Sequence, residues 1–94
     1  MEHEFELQFR LETGSMDVAS LVERLFEAGC DDALIGTGRP GRIALIFSRK
    51  GPSAEEAVIS AVEGVRQAVP GAVLTALAHE VLTLNDLMRR LAKN

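Results

Sequence analysis

An α+β sandwich is the fold class this 94-residue sequence predicts, on three observations. Residues 5–11 alternate apolar and polar side chains, the period of a strand with one wet face. Two later stretches, 18–26 and 58–69, repeat apolar residues at the 3.6 spacing of amphipathic helices. Short apolar runs punctuated by Gly and Pro fill the rest, in the order β-α-β-β-α-β with a further helix at the C-terminal end. The length corresponds to one small domain.

Each element has a local reason. Phe5, Leu7, Phe9 and Leu11 form one face of the first strand, and Glu4, Glu6, Gln8, Arg10 and Glu12 form the other. Thr13-Gly14-Ser15 breaks it. Asp17 is placed to cap the first helix, its carboxylate accepting from free backbone N–H groups. The stripe of that helix is Val18, Leu21, Val22, Leu25 and Phe26, and Gly29 stops it. Ala33-Leu34-Ile35 reads as a short second strand, and Gly36-Thr37-Gly38-Arg39-Pro40-Gly41 as a tight turn. Residues 42–48 form a third strand that is apolar on both faces, with Ile43, Leu45 and Phe47 on one and Ala44 and Ile46 on the other. Ser53, three residues before Glu56, has the spacing of a capping box for the second helix, whose stripe is Val58, Ala61, Val62, Val65 and Val69. Pro70-Gly71 ends it, and residues 72–81 read as a fourth strand. Thr83 then caps a helix with Leu84, Leu87, Met88 and Leu91 on one side.

Two split β-α-β units with right-handed crossovers give a ferredoxin-like βαββαβ sandwich, with an antiparallel four-stranded sheet in the order 4-1-3-2 and both helices on one face. Residues 1–82 form this domain and residues 83–94 a short C-terminal helix. The second apolar face of strand three then points away from the helices, and a strand apolar on both faces is expected to be covered on both. The C-terminal helix or a second chain is expected to do this. Ala44 and Ile46 are the expected oligomer face, and a homo-oligomer, taken as a dimer, is the expected assembly.

Composition narrows the function. The formal charge is −4, which argues against a surface that is wholly a nucleic-acid or anionic-membrane binder. There is no Trp or Tyr and there are only four Phe, a poor supply for stacking bases. A single Cys excludes an internal disulfide and a Cys-rich zinc site. No apolar run approaches the roughly 18–20 residues that span a bilayer, so no membrane partner is expected. The acidic start, Met1-Glu2-His3-Glu4, lacks the plan of a secretion signal, and a cytoplasmic location is the expectation.

Four places hold chemistry-bearing side chains. The predicted strand order brings His3 near His79 with Glu2, Glu4 and Glu80 around them, ligand types for zinc or nickel; two exposed surface histidines are the alternative. Asp31 and Asp32 fall beside Arg49 and Lys50, whose cations keep both carboxylates ionised, so a surface salt-bridge cluster is expected rather than an acid–base pair. Arg39 and Arg42 flank the Gly-rich turn and could meet an anion or an acidic partner, but the turn joins two strands and opens no helix, which leaves a plain hairpin as the alternative. Cys30 has no histidine near it in sequence and reads as a buried structural thiol. No nucleophile–base pair, phosphate loop or carboxylate dyad emerges, so neither an enzyme nor a bound cofactor is expected.

The stretch Ala28-Gly29-Cys30-Asp31-Asp32-Ala33-Leu34-Ile35-Gly36, continued by Gly38-Arg39-Pro40-Gly41-Arg42-Ile43-Ala44-Leu45, resembles a group of small bacterial proteins labelled helix-turn-helix DNA-binding proteins. Leu21-Val22-Glu23-Arg24-Leu25 and Ser53-Ala54-Glu55-Glu56-Ala57-Val58 resemble them too, so the likeness covers nearly the whole chain. In that group a β-rich N-terminal domain precedes a DNA-reading motif of the excisionase or repressor type. Residues 82–92 are similar to the first helix of such a motif. The resemblance implies a DNA-binding regulator in which Arg89, Arg90 and Lys93 contact DNA or a partner. Charge is distributed accordingly, with a net of +2 over residues 83–94 and −6 over residues 1–82. Basic residues at a helix C-terminus also simply oppose the helix dipole. A recognition helix needs about 15 residues beyond Asn94, so DNA is an expected partner only for a longer chain, and these 94 residues are expected to bind it weakly or not at all. The function expected is a non-enzymatic association or sensing domain of such a regulator. The alternative is a stand-alone oligomerisation or small-ligand-binding module.

Overall fold

The structure is a computed structural model that describes residues 2–11, 18–36, 41–79 and 83–92. Its elements are β1 (Glu2–Leu11), α1 (Val18–Glu27), β2 (Ala33–Gly36), β3 (Arg42–Lys50), α2 (Ala54–Ala68), β4 (Ala72–Ala78) and α3 (Leu84–Ala92). The fold is α+β: a four-stranded sheet in the order β2-β3-β1-β4, with every pairing antiparallel, and three helices.

Alternation in β1 sorts the sheet into two faces. Phe5, Leu7 and Phe9 are buried and stand opposite Phe47, Leu45 and Ile43 of β3, which are buried as well. The Phe5 and Phe47 rings stack with centroids 5.2 Å apart. Onto this face pack Leu21 and Leu25 of α1 and Val58, Ala61, Val62 and Val65 of α2. Each large side chain so buried is worth about 1.5–3 kcal/mol relative to exposure. The predicted stripe of α2 is buried in full, Val69 included. The stripe of α1 is narrower than the sequence suggests: Phe26 is 56% exposed, because the contact between α1 and the core runs along Leu21 and Leu25 and leaves Phe26 at its margin. The side chain of Val18 and the proposed cap Asp17 lie outside the described residues.

Local chemistry fixes the ends. The Cys30 N–H donates to Leu25 O at 2.8 Å and the Gly29 N–H to Phe26 O at 3.1 Å, with Gly29 at φ 88°. That is a Schellman closure, which needs a residue tolerant of positive φ. The Ser53 hydroxyl accepts from the Glu56 N–H at 3.2 Å, as the spacing predicts. At α3 the Thr83 hydroxyl accepts from the Asp86 N–H (3.2 Å) while the Asp86 carboxylate accepts from the Thr83 N–H (3.3 Å), a reciprocal box.

Two features depart from expectation. The pairing of β1 with β4 slips between Gln8 and Phe9, where Thr75 is the extra residue on the β4 side and its hydroxyl donates to Gln8 O at 3.1 Å. And α3 does not cover the open face of the sheet. Leu87 is fully buried in the shared core, with Leu84 and Leu91 packed against it, and α3 meets α2 and β4. An apolar stripe finds the largest apolar surface within reach, and here that is the edge of the helix layer. Met88 sits at the border, 39% exposed. The expected continuation of the fourth strand to Val81 lies outside the described residues. Among the described residues no helix is long and apolar enough to cross a membrane.

Candidate functional site: the open face of the sheet

The even-numbered residues of β1 stand on the face opposite the core. The register extends each into a row across the strands. One row runs Leu34, Ile46, Glu6, Ala78; the next runs Gly36, Ala44, Gln8, Ala76. Leu34 is 73% exposed and Ile46 49% exposed, side by side. The first row is therefore an apolar ridge at the β2 edge. The second is small at its β2 and β3 positions, Gly36 and Ala44, and beside it lies a depression of about 390 Å³ lined by Gln8, Gly36, Arg42, Ala44 and Thr75 together with Phe9 and Ile43. Gly36 has no positive φ, and a Cβ there would come no closer than 3.8 Å to the described atoms. Neither backbone nor packing among those atoms demands a glycine, so its effect is to keep the surface low.

Charge on this face is separated along β1. Glu4 and Glu6 occupy one half, with the Glu6 carboxylate accepting from Gln8 Nε2 at 2.9 Å. Arg10 and Arg42 stand directly opposite each other in the other half. Glu2 at the strand end is opposite Lys50. Both members of the expected oligomer face, Ala44 and Ile46, thus lie on one surface, and Arg42 lies there with them. Arg39 lies outside the described residues.

A second cluster sits at the other side of the sheet. Arg49 lies across the Phe47 ring, its guanidinium carbon 5.0 Å from the centroid. It grips Asp32 with two bonds, Nε to Oδ2 at 2.7 Å and a terminal nitrogen to Oδ1 at 2.9 Å. It also donates to the Gly29 carbonyl (2.9 Å) and to Ser60 Oγ (3.1 Å). These bonds hold the Asp32 carboxyl below its usual value, against the desolvation that opposes ionisation there. One arginine thereby ties β3 to the turn after α1 and to α2. The expected surface cluster is half-buried instead, with side-chain exposures of 15% and 29% for Arg49 and Asp32. Lys50 is not part of it, because strand alternation sends Lys50 to the open face opposite Glu2. Beneath this clamp, Cys30 is fully buried, and desolvation raises its thiol pKa, outweighing the nearby Arg49 cation. A raised thiol pKa means little thiolate at neutral pH and a poor nucleophile.

The register of β1 with β4 is described as far as Glu6 opposite Ala78, with His79 next along β4 and His3 three residues from Glu6 along β1. His3 Nε2 is 3.1 Å from the Gly51 carbonyl, at the far end of β3. Among the described residues no group of three or more His, Cys, Asp or Glu side chains gathers as a metal site. Arg89 is exposed on α3; the side chain of Arg90, and Lys93 altogether, lie outside the described residues. The exposed ridge and its neighbouring trough are what sequence reasoning missed. Alternation flagged Ala44 and Ile46, but only the register sets Leu34 beside Ile46 and Gly36 beside Ala44. Comparison with family models, curated proteins and solved structures finds no match.

Proposed function

We propose that this chain is a non-enzymatic association domain whose open sheet face binds another protein surface, within a ferredoxin-like sandwich and, following the resemblance of its 28–45 stretch, as part of a DNA-binding regulator. The element order, the strand order and the placement of α1 and α2 on one face support the ferredoxin-like reading. The observation that carries the functional reading is the Leu34–Ile46 ridge, two large aliphatic side chains adjacent across strands and open to water. Scattered single exposed apolar residues need no explanation, but contiguous ones on a sheet face do. Ile46→Glu and Leu34→Glu test this by light scattering. Both variants are expected to stay folded, since each site is already half or more exposed, and to lose self-association. Equal association by wild type and both variants contradicts the reading.

The depression of about 390 Å³ favours a second reading, a small-ligand site in which Arg42 would meet an anionic group. Its size is at the low end for ligand pockets. A rise in melting temperature with small carboxylates that is lost in Arg42→Ala supports that reading, and an unchanged melting temperature opposes it.

A further inference from the structure

The rows of the open face are complementary to themselves. Imagine a two-fold axis lying in the plane of an interface and running across the strands. It sets β2 against β2 and β3 against β3, each reversed in direction. With the axis placed between the Leu34–Ile46 row and the Gly36–Ala44 row, large residues meet small ones: Leu34 faces the Gly36 of a second copy, and Ile46 faces its Ala44. The same operation sets Glu4 against Arg10 and brings Ser48 and Glu4 to Arg42. An axis running along β1 would instead leave the facing strands parallel and place Glu4 on Glu4 and Arg10 on Arg10.

We propose that the open face binds a second copy of this chain, face to face and with strands reversed, so that the Leu34–Ile46 ridge of each copy fills the Gly36–Ala44 trough of the other and the acidic half of β1 meets the basic half. The proposal rests on the association reading above and adds the partner and its orientation. Two sheets packed this way keep their strands within about 30° at a spacing of about 10 Å, which one layer of Leu and Ile side chains fills. Charge gives the choice of partner. Among the described residues the face carries Glu2, Glu4 and Glu6 against Lys50, Arg10 and Arg42, a neutral set split into opposite halves. Glu2 and Lys50 already face each other within the chain, so the split is between Glu4 and Glu6 on one side and Arg10 and Arg42 on the other.

Charge reversal tests the arrangement. Apart from the Glu2–Lys50 pair, Glu4→Arg with Glu6→Arg makes the face basic, and Arg10→Glu with Arg42→Glu makes it acidic. Each double variant is expected to weaken self-association about tenfold or more in sedimentation equilibrium. The quadruple variant carrying all four substitutions exchanges the halves and is expected to recover wild-type self-association while failing to pair with wild type. A quadruple variant as weak as the doubles, or one that prefers wild type to itself, overturns the orientation. A cysteine pairing test is independent of reversed charge. Glu4→Cys and Arg10→Cys chains, each treated alone with a bismaleimide that spans about 10 Å, are expected to stay uncross-linked, and their equimolar mixture to form a cross-linked dimer. Cross-linking of either chain alone, or none in the mixture, overturns the proposal. If Ile46→Glu abolishes association but none of these substitutions changes it, the association reading stands and the orientation falls. If wild type is monomeric at hundreds of micromolar, both fall.

Discussion

Gly64 lies on α2 beneath the turn that follows α1, and a Cβ added there would stand 3.1 Å from Cys30 Sγ and 3.4 Å from the Ala28 carbonyl. Two effects of Gly64→Ala therefore oppose each other. Alanine is about 1 kcal/mol better than glycine in a helix interior. Crowding a fully buried sulfur costs about 1–3 kcal/mol. The expected result is a net loss of stability in the wild-type chain. In a Cys30→Ala background, where the sulfur is gone, the same substitution should stabilise by up to about 1 kcal/mol. Urea unfolding of the four proteins of this cycle measures the coupling, and additive effects would show that the two residues do not crowd. Asp32 gives a pH signature. Its carboxyl titrates lower in the folded chain than in the unfolded one, chiefly through the Arg49 hydrogen bonds. Its contribution is thus present in full above the ordinary aspartate value of about 3.9 and lost as pH falls through the lower folded value. Asp32→Asn should be less stable than wild type at pH 7 and should lose less further stability on acidification below about pH 4. Parallel losses in the two proteins would contradict this.

At the scale of elements, α3 is part of the domain body. Leu87 is fully buried, so Leu87→Ala should cost about 2–5 kcal/mol in global unfolding. Loss of helicity from α3 alone, with the rest of the chain as stable as before, would show that the helix is only loosely attached. The elements were the most legible part of the sequence. Strict alternation from Phe5 to Leu11, the Ser53 cap and the Pro70-Gly71 stop act within a few residues, and local physics decides them. The contact between Asp32 and Arg49 also followed once the strand order was assumed, because both lie at one end of neighbouring strands. What periodicity could not supply was the destination of each apolar face. The stripe of α3 reads the same whether it lies on the open face or against α2 and β4. Phe26 has helical spacing with Leu25 and Val22, yet it is the neighbouring surface that decides which of them is buried. The Thr75 bulge is likewise a property of two strands together, and a single-strand reading does not fix it.

Among the described residues, one face of the sheet is closed by two helices and the other carries the exposed Leu34 and Ile46. The charge of the molecule follows that division only in part: the overall −4 hides a sheet face that, among the described residues, is neutral and sorted into halves. The site legible in the sequence was two residues, Ala44 and Ile46; the ridge beside them depends on β2 pairing with β3 in one register, and a slip of one residue would have turned Leu34 inward. Sedimentation equilibrium of the wild-type chain over a dilution series measures association through this face. The mass is expected to rise with concentration from one chain to two and no further, with Ile46→Glu held at one. A wild-type chain that sediments as a monomer at every concentration, or an Ile46→Glu chain that dimerises as wild type does, would contradict association through this face.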